Sequence, residues 1–250
     1  MTFFRPLSLT LLFGLFLVQV LHGQTPSGSD LLAKIDANIT SERRIIVVKM
    51  IIYGRRASRT VTSKSYIQGD DQAFTEYLSP PREKGVKMLK LGDQLWTYAP
   101  STDRTIKISG HMLRQSVMGS DLSYEDMMTD RKLQDAYRAQ VIGSENMGER
   151  PCWVVDLSAA IKDVAYFSRK IWVDKERFIP LREERYSKSG KLLKTTDIKE
   201  VMLVDKRWMP RHLIFKDVLK NGKGTEYFLE SIELDVPISE HLFTKASLRK

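Results

Sequence analysis

Between Ile45 and Leu234 the chain is a succession of short β-branched and aromatic runs separated by turn residues, and this rhythm constrains the fold more than any other feature. The first run, Ile45-Ile46-Val47-Val48-Lys49-Met50-Ile51-Ile52-Tyr53, is apolar at odd and even positions alike, as expected of a strand covered on both faces. Strand-like runs follow at 59–67, 73–78, 86–91, 94–99 and 105–108. The second half adds 137–142, 152–157, 166–173, 181–186, 192–198, 201–204, 212–218 and 225–234. Gly69-Asp70-Asp71, Gly92-Asp93, Ser101-Thr102-Asp103, Ser189-Gly190 and Asn221-Gly222 supply turn chemistry between them. This spacing predicts a mainly β chain, a meandering antiparallel sheet that forms either a barrel or a strongly curved half-barrel. Helices and strands do not alternate, which argues against a doubly wound sheet or a (β/α)₈ barrel.

Two stretches break the rhythm. Leu31, Ile35 and Ile39 recur every four residues, and Leu32 and Ala33 widen the stripe. With Ser29 or Asp30 as N-cap they predict an amphipathic helix ending near Thr40. Residues 110–136 hold Gly119, paired acids and the methionines Met112, Met118, Met127 and Met128. Ser123-x-x-Asp126 is a capping-box pattern, so one or two short helices are expected here, inserted between strands. A continued sheet would put Glu125 and Asp126 into a ladder edge.

Residues 1–23 have the form of a secretory signal peptide: Arg5 as the positive region, an apolar core from Leu7 to Val18, and Gly23 as a small residue before the expected cleavage point. The core is shorter than the about 20 residues a bilayer-spanning helix needs; the alternative, an uncleaved membrane anchor, is disfavoured by polar Gln19 and His22 and by the lack of a strong positive stop after them. Residues 24–250 are then one exported domain, with no composition shift to divide it.

Lys and Arg number 40 against 31 Asp and Glu, a net charge of +9. A basic surface favours anionic partners without choosing among them. The charge is interspersed with acids and no nucleic-acid motif is present, so no nucleic-acid partner is expected. The single cysteine, Cys152, excludes an internal disulfide and opens the apolar run Trp153-Val154-Val155, as a buried core thiol would. His111, His212 and His241 lack metal-ligand spacing, and no G-x-S-x-G elbow is present. Gly222-Lys223-Gly224-Thr225 reads as a hairpin turn rather than a phosphate loop. Glu125-Asp126 and Glu183-Glu184 are read as solvated faces and helix starts, since strand neighbours point to opposite sides. No catalytic set, metal or cofactor is expected, and the chain is read as a non-enzyme.

A large curved sheet must close on something, and flexible, polarisable methionines suit a surface that accepts varied apolar chains. The segments Pro80-Pro81-Arg82-Glu83-Lys84-Gly85-Val86-Lys87-Met88-Leu89, Leu95-Trp96-Thr97-Tyr98-Ala99-Pro100 and Arg104-Thr105-Ile106-Lys107-Ile108 resemble the outer-membrane lipoprotein-sorting family. Ser116-Val117-Met118-Gly119-Ser120-Asp121-Leu122-Ser123-Tyr124-Glu125-Asp126 is the most specific block, and Tyr166 to Asp174 with the Gly190-Lys191-Leu192-Leu193-Lys194 turn also fits. The resemblance covers nearly all of the chain after the leader.

The resemblance implies a LolA-like unclosed antiparallel β-barrel with short helices as a lid over the concave face. It implies a periplasmic carrier of lipoprotein acyl chains or phospholipid-like cargo, working as a monomer between an inner-membrane exporter and an outer-membrane acceptor. Alternation and block position nominate Met50, Ile52, Trp96, Tyr98, Met112, Met118, Met127 and Met128 as cavity and lid residues. The alternative is a non-enzymatic periplasmic module that docks on a membrane lipid exporter and carries no cargo.

Overall fold

The computed structural model describes residues 25–54, 56–128, 131–162 and 164–249. The expected signal peptide lies outside them. Thirteen strands form one sheet: β1 (Arg43–Tyr53), β2 (Ser58–Gln68), β3 (Gln72–Ser79), β4 (Lys87–Leu91), β5 (Gln94–Ala99), β6 (Arg104–Ile108), β7 (Tyr137–Met147), β8 (Arg150–Ala159), β9 (Ser168–Asp174), β10 (Pro180–Tyr186), β11 (Leu192–Val204), β12 (Arg207–Asp217) and β13 (Thr225–Leu234). Their spatial order is β6-β5-β4-β3-β2-β1-β13-β12-β11-β10-β9-β8-β7, with every neighbouring pair antiparallel. The edge strands β6 and β7 do not pair with each other, so the sheet is an open half-barrel.

The runs at 192–198 and 201–204 are one strand rather than two. The register shifts on both sides of Glu200, which pairs with His212 while Val201 pairs with Pro210, and this irregularity absorbs the break in alternation and lets β11 continue. Tyr166 lies before β9, its hydroxyl used elsewhere, and β7 runs five residues past Ile142, to Met147.

Helix α1 (Gly28–Ile39) starts one turn earlier than its apolar stripe suggests. Ser27 is the N-cap, its hydroxyl accepting from the Asp30 backbone N–H at 3.1 Å. Asp30 sits inside the first turn instead, where its carboxylate meets the positive end of the helix. Gly28 is required by packing: a Cβ there would stand 2.0 Å from the Ala139 carbonyl oxygen of β7. Leu31, Leu32 and Ile35 are buried against Val155, Leu157, Ile171 and Val173 of β8 and β9.

Topology fixes what covers the sheet. Since β6 and β7 are opposite edges, the residues between them must cross from one side of the half-barrel to the other. This crossing contains 3₁₀ turns at Gly110–Arg114 and Val117–Gly119, and the short helices α2 (Tyr124–Met127) and α3 (Leu133–Ala136). It forms a lid over the inner face. The chain after β13 covers the outer face, where Ile238, Phe243 and Leu248 pack on Phe74, Leu89 and Trp96.

Candidate functional site

Residues opposite one another in an antiparallel ladder point to the same side. One inner-face row can therefore be followed across eight strands: Ile52, Thr225, Phe215, Thr196, Glu183, Ile171, Val155 and Val141. A parallel row runs Asp217, Lys194, Arg185, Arg169, Leu157. The first row is apolar over β7–β9 and the second at Leu157 of β8; toward β13 both are polar except at Phe215. The inner face is thus two apolar basins separated by a polar saddle on β9–β13. Helix α1 fills one basin, over β7–β9. The lid fills the other, over β1–β6.

In the second basin Val48, Met50, Ile52, Val61, Tyr77, Met88, Leu95 and Ile108 form a buried cluster, and Met112, Met118, Met127 and Met128 pack on it from the lid. Six of the eight nominated residues therefore meet in one place. Trp96 and Tyr98 do not. They alternate to the outer face, where Trp96 stands opposite Leu89 and beneath the C-terminal segment. The strand pattern of β5 carries apolar residues on both faces, so alternation alone could not assign them.

Polar contacts seat the lid on the saddle. The Asp121 carboxylate accepts from the Asp217 backbone N–H at 3.0 Å and from the Thr225 hydroxyl at 2.9 Å. Lys194 donates to the Asp121 carbonyl at 2.8 Å and to Asp126 Oδ2 at 2.7 Å. Asp126 also accepts from the Tyr166 hydroxyl at 2.5 Å, lies 3.5 Å from Arg185 Nη1, and closes the capping box of α2 by accepting from the Ser123 N–H at 2.7 Å. Lys220 donates to the Ser120 carbonyl at 2.7 Å, and Arg59 donates to the Met118 carbonyl. On the other flank Lys90 donates to the Met128 carbonyl at 3.2 Å. The capping pattern in the sequence located Asp126, but nothing local identified its partners on β10 and β11.

Glu125 and Asp126 open α2, as expected of a helix start, whereas Glu183 and Glu184 are ion-paired and not a solvated face. Glu183 pairs with Arg169 at 3.0 Å and Arg185 at 2.7 Å, enclosed beneath the lid, while Glu184 faces away and pairs with Arg182 at 2.9 Å. Burial pushes the Asp126 carboxyl up, but Lys194, Arg185 and the Lys194 and Tyr166 hydrogen bonds override it and hold it down at about 2. Glu183 likewise sits at about 2, burial being overcome by Arg185 and Arg169. The Tyr166 hydroxyl is pushed up, by burial first and by Asp126 next. Two arginines and a lysine therefore face two ionised carboxylates, and the cluster is a structural latch with no titrating pair poised near neutrality.

Asp36 ties α1 to the end of the lid. Its carboxylate accepts from the Leu133 N–H at 2.9 Å and the Gln134 N–H at 3.1 Å, capping α3 from outside. Burial raises the Asp36 carboxyl against these two hydrogen bonds.

Between the basins lies a cavity of about 440 Å³. Ile35 and Ile39 of α1, Leu113 and Met128 of the lid, and Ile161 and Ile171 give it apolar walls. Arg169, Glu183 and Arg185 form its floor, and Asp70, Asp71 and Asp93 stand at one margin. Its size falls within the roughly 300–1,000 Å³ of small-molecule sites. Of the nominated residues Met128 lines it. A larger groove of about 640 Å³ crosses β7, β8 and β9, but it lies outside the lid and is bordered by Arg138, Asp156, Lys170 and Tyr186. Among the described residues no group of His, Cys, Asp and Glu is placed to hold a metal ion, and no helix is long and apolar enough to cross a membrane.

A protein-family model whose description reads "Uncharacterized protein" matches residues 69–250. No curated protein matches the sequence. Three solved structures share the architecture. A domain described as outer membrane lipoprotein-sorting, from Vibrio parahaemolyticus, is 24% identical with a TM-score of 0.77, covering 89% of this chain and 98% of its own. A DUF1329 family protein from Desulfovibrio piger is 24% identical with a TM-score of 0.79, covering 88% and 97%. A LolA superfamily protein from Nitrosomonas europaea is 22% identical with a TM-score of 0.75, covering 89% and 100%. At these identities the likeness establishes the fold, a LolA-like open half-barrel.

Proposed function

We propose that this chain, which belongs to the family matched over residues 69–250 and has the LolA-like fold, is an exported carrier that holds an acyl chain between the lid and the inner face of the sheet. The observation that carries this reading is the meeting of Met50, Ile52 and four lid methionines in one basin that adjoins the cavity. Methionine side chains repack at low cost around chains of varied shape. Each methylene moved from water into such a site contributes about 0.8 kcal/mol, enough to keep a long chain bound across an aqueous space.

In this reading residues 1–23 are a signal peptide removed on export, and residues 24–250 are the carrier domain, working in the periplasm. Working as a monomer, the protein takes a lipoprotein or phospholipid-like cargo from an inner-membrane exporter and gives it to an outer-membrane acceptor. The protein performs no catalysis; its work is burial and release. Loading enlarges the cavity by lifting the lid methionines off β1–β6, which requires Asp121 and Asp126 to leave the saddle. The cargo must therefore supply apolar contact that exceeds the latch.

Native mass spectrometry of the protein purified from its periplasm without detergent tests the reading. A discrete added mass that extracts into organic solvent is expected. An apo mass that stays unchanged after incubation with phospholipid vesicles and acylated peptides overturns it, and leaves the cargo-free module docking on a lipid exporter.

A further inference from the structure

An antiparallel meander sends successive turns to opposite ends of the sheet, and here the two ends carry opposite charge. The turns at 54–57, 187–191 and 218–224 lie at one end, next to one another along the rim, because β2, β1, β13, β12, β11 and β10 are neighbours. Among the described residues they contain Arg56, Lys188, Lys191, Lys220 and Lys223 and no acid. At the other end the turns at 69–71, 92–93 and 148–149 contain Asp70, Asp71, Asp93 and Glu149 and no base, and those at 175–179 and 205–206 add Lys175, Arg177 and Lys206 against Glu176 and Asp205, so that end is net acidic. A strand of 11 residues such as β2 separates the ends. At about 3.3 Å per residue that is roughly 35 Å, several Debye lengths at physiological salt. The acids therefore do not cancel the field of the basic rim.

The basic rim also exposes apolar side chains. Leu219 is 60% exposed and Val218 37% exposed at the tip of the β12–β13 turn, between Lys216 and Lys220. Tyr53 is exposed one strand away, at the end of β1. Neither aliphatic residue belongs to a core cluster. Lys216 and Lys220 are held by hydrogen bonds to the Lys220 and Ser120 carbonyls, but Lys188, Lys191 and Lys223 of the same rim are exposed. Protruding aliphatic residues on such a rim match the surface of an anionic bilayer, where lysines meet headgroups and the aliphatic tip enters the acyl boundary.

We propose that this rim docks the protein on an anionic phospholipid surface, with Val218 and Leu219 inserted and the acidic end held away from the membrane. The opposed charges orient the half-barrel on the bilayer. The proposal goes beyond the carrier reading and does not depend on what the cavity holds.

Vesicle co-sedimentation of the periplasm-purified protein tests it, comparing phosphatidylglycerol-containing vesicles with pure phosphatidylcholine. Binding to the anionic vesicles is expected to be about tenfold stronger at low salt and to fall as salt rises. The pair Lys188→Glu and Lys191→Glu removes about tenfold of that binding. The pair Lys199→Glu and Lys206→Glu makes the same change in net charge on β11 and its far turn, and leaves binding close to the parent. Leu219→Ser weakens binding with every charge in place. Equal losses from the two charge pairs would reduce the effect to net charge and overturn the proposal. Absence of any preference for anionic vesicles also overturns it, and leaves the rim to an acidic protein surface. Circular dichroism verifies that each variant keeps its sheet. Cargo occupancy is read separately by mass, so failure of docking and failure of the carrier reading are distinguishable.

Discussion

Asp126 on the lid and Lys194 on β11 meet at 2.7 Å, with both side chains almost wholly withdrawn from solvent. Through this contact a four-residue helix, too short to be stable by itself, is fixed to the middle of a thirteen-strand sheet. Removing one partner leaves the other charge buried and unpaired. Asp126→Ala is therefore expected to cost about 3–5 kcal/mol in urea unfolding. It also frees the lid, so limited proteolysis should cut between residues 110 and 136 first. A stability change below about 1 kcal/mol with an intact lid would show that the contact does not hold it.

The same latch sets an acid limit. Asp126 and Glu183 titrate at about 2 in the folded chain, below their ordinary 3.8 and 4.5. A depressed carboxyl stabilises the folded state above its unfolded value and loses that contribution as pH falls through the folded value. Both contributions are therefore complete above about pH 5 and disappear between about pH 4 and 2, each of order 2 kcal/mol and not additive because Arg185 is shared. Protection factors across the lid, which are corrected for the base-catalysed intrinsic exchange rate, should fall over this interval and be flat between about pH 5 and 8.

Trp96 and Met128 separate the two faces of the sheet. Trp96→Ala removes the outer-face anchor beneath Phe243 and Leu248, where Lys245 also stacks at 4.3 Å. A loss of about 3–5 kcal/mol is expected, with cargo mass unchanged in the fraction that stays folded. Met128→Trp fills the cavity between the basins and should lower cargo occupancy while costing less stability. Reversed outcomes would place the cargo on the outer face.

Gly28→Ala tests how closely α1 lies on β7. The added methyl meets a backbone oxygen that no rotamer change can move, so the helix must shift and about 1–3 kcal/mol is lost. Thermal unfolding reads this directly; an unchanged midpoint would mean that α1 docks further from β7.

Cys152 is wholly enclosed between β7 and β9, and burial pushes its thiol up to about 11. Ellman's reagent should react with it only at the rate of global unfolding, and immediately in urea. Fast labelling of the native protein would indicate that the β7–β9 edge opens.

The strands and the insertion between them were legible because alternation, turn residues and a capping box are local signals. Ser123 and Asp126 announced α2, and Asn221-Gly222 announced the β12–β13 turn. Two features were not legible for a physical reason. Glu183 reads as a surface acid, since the arginines that enclose it come from two strand positions and a lid whose approach only the closed topology dictates. Trp96 reads as a cavity residue because β5 is apolar on both sides, and the segment that covers its outer face lies more than a hundred residues away in the chain. The split of 192–204 into two runs failed because a register shift hides in any pattern that assumes strict alternation.

The pairing of β1 with β13 sets an order of events during synthesis. Every other neighbouring pair joins consecutive strands, whereas Ile52 must wait for Thr225. A chain emerging from its N-terminus can zip β1 through β6 as local hairpins, yet β1 keeps one naked edge until the last strand arrives. That edge runs along residues 45–53, the most β-branched and apolar segment of the described residues, and is a template for pairing with another chain. The newly made protein is thus most exposed to aggregation in the interval before β13 emerges, and truncation just before Thr225 should yield insoluble material even though twelve of the thirteen strands are present.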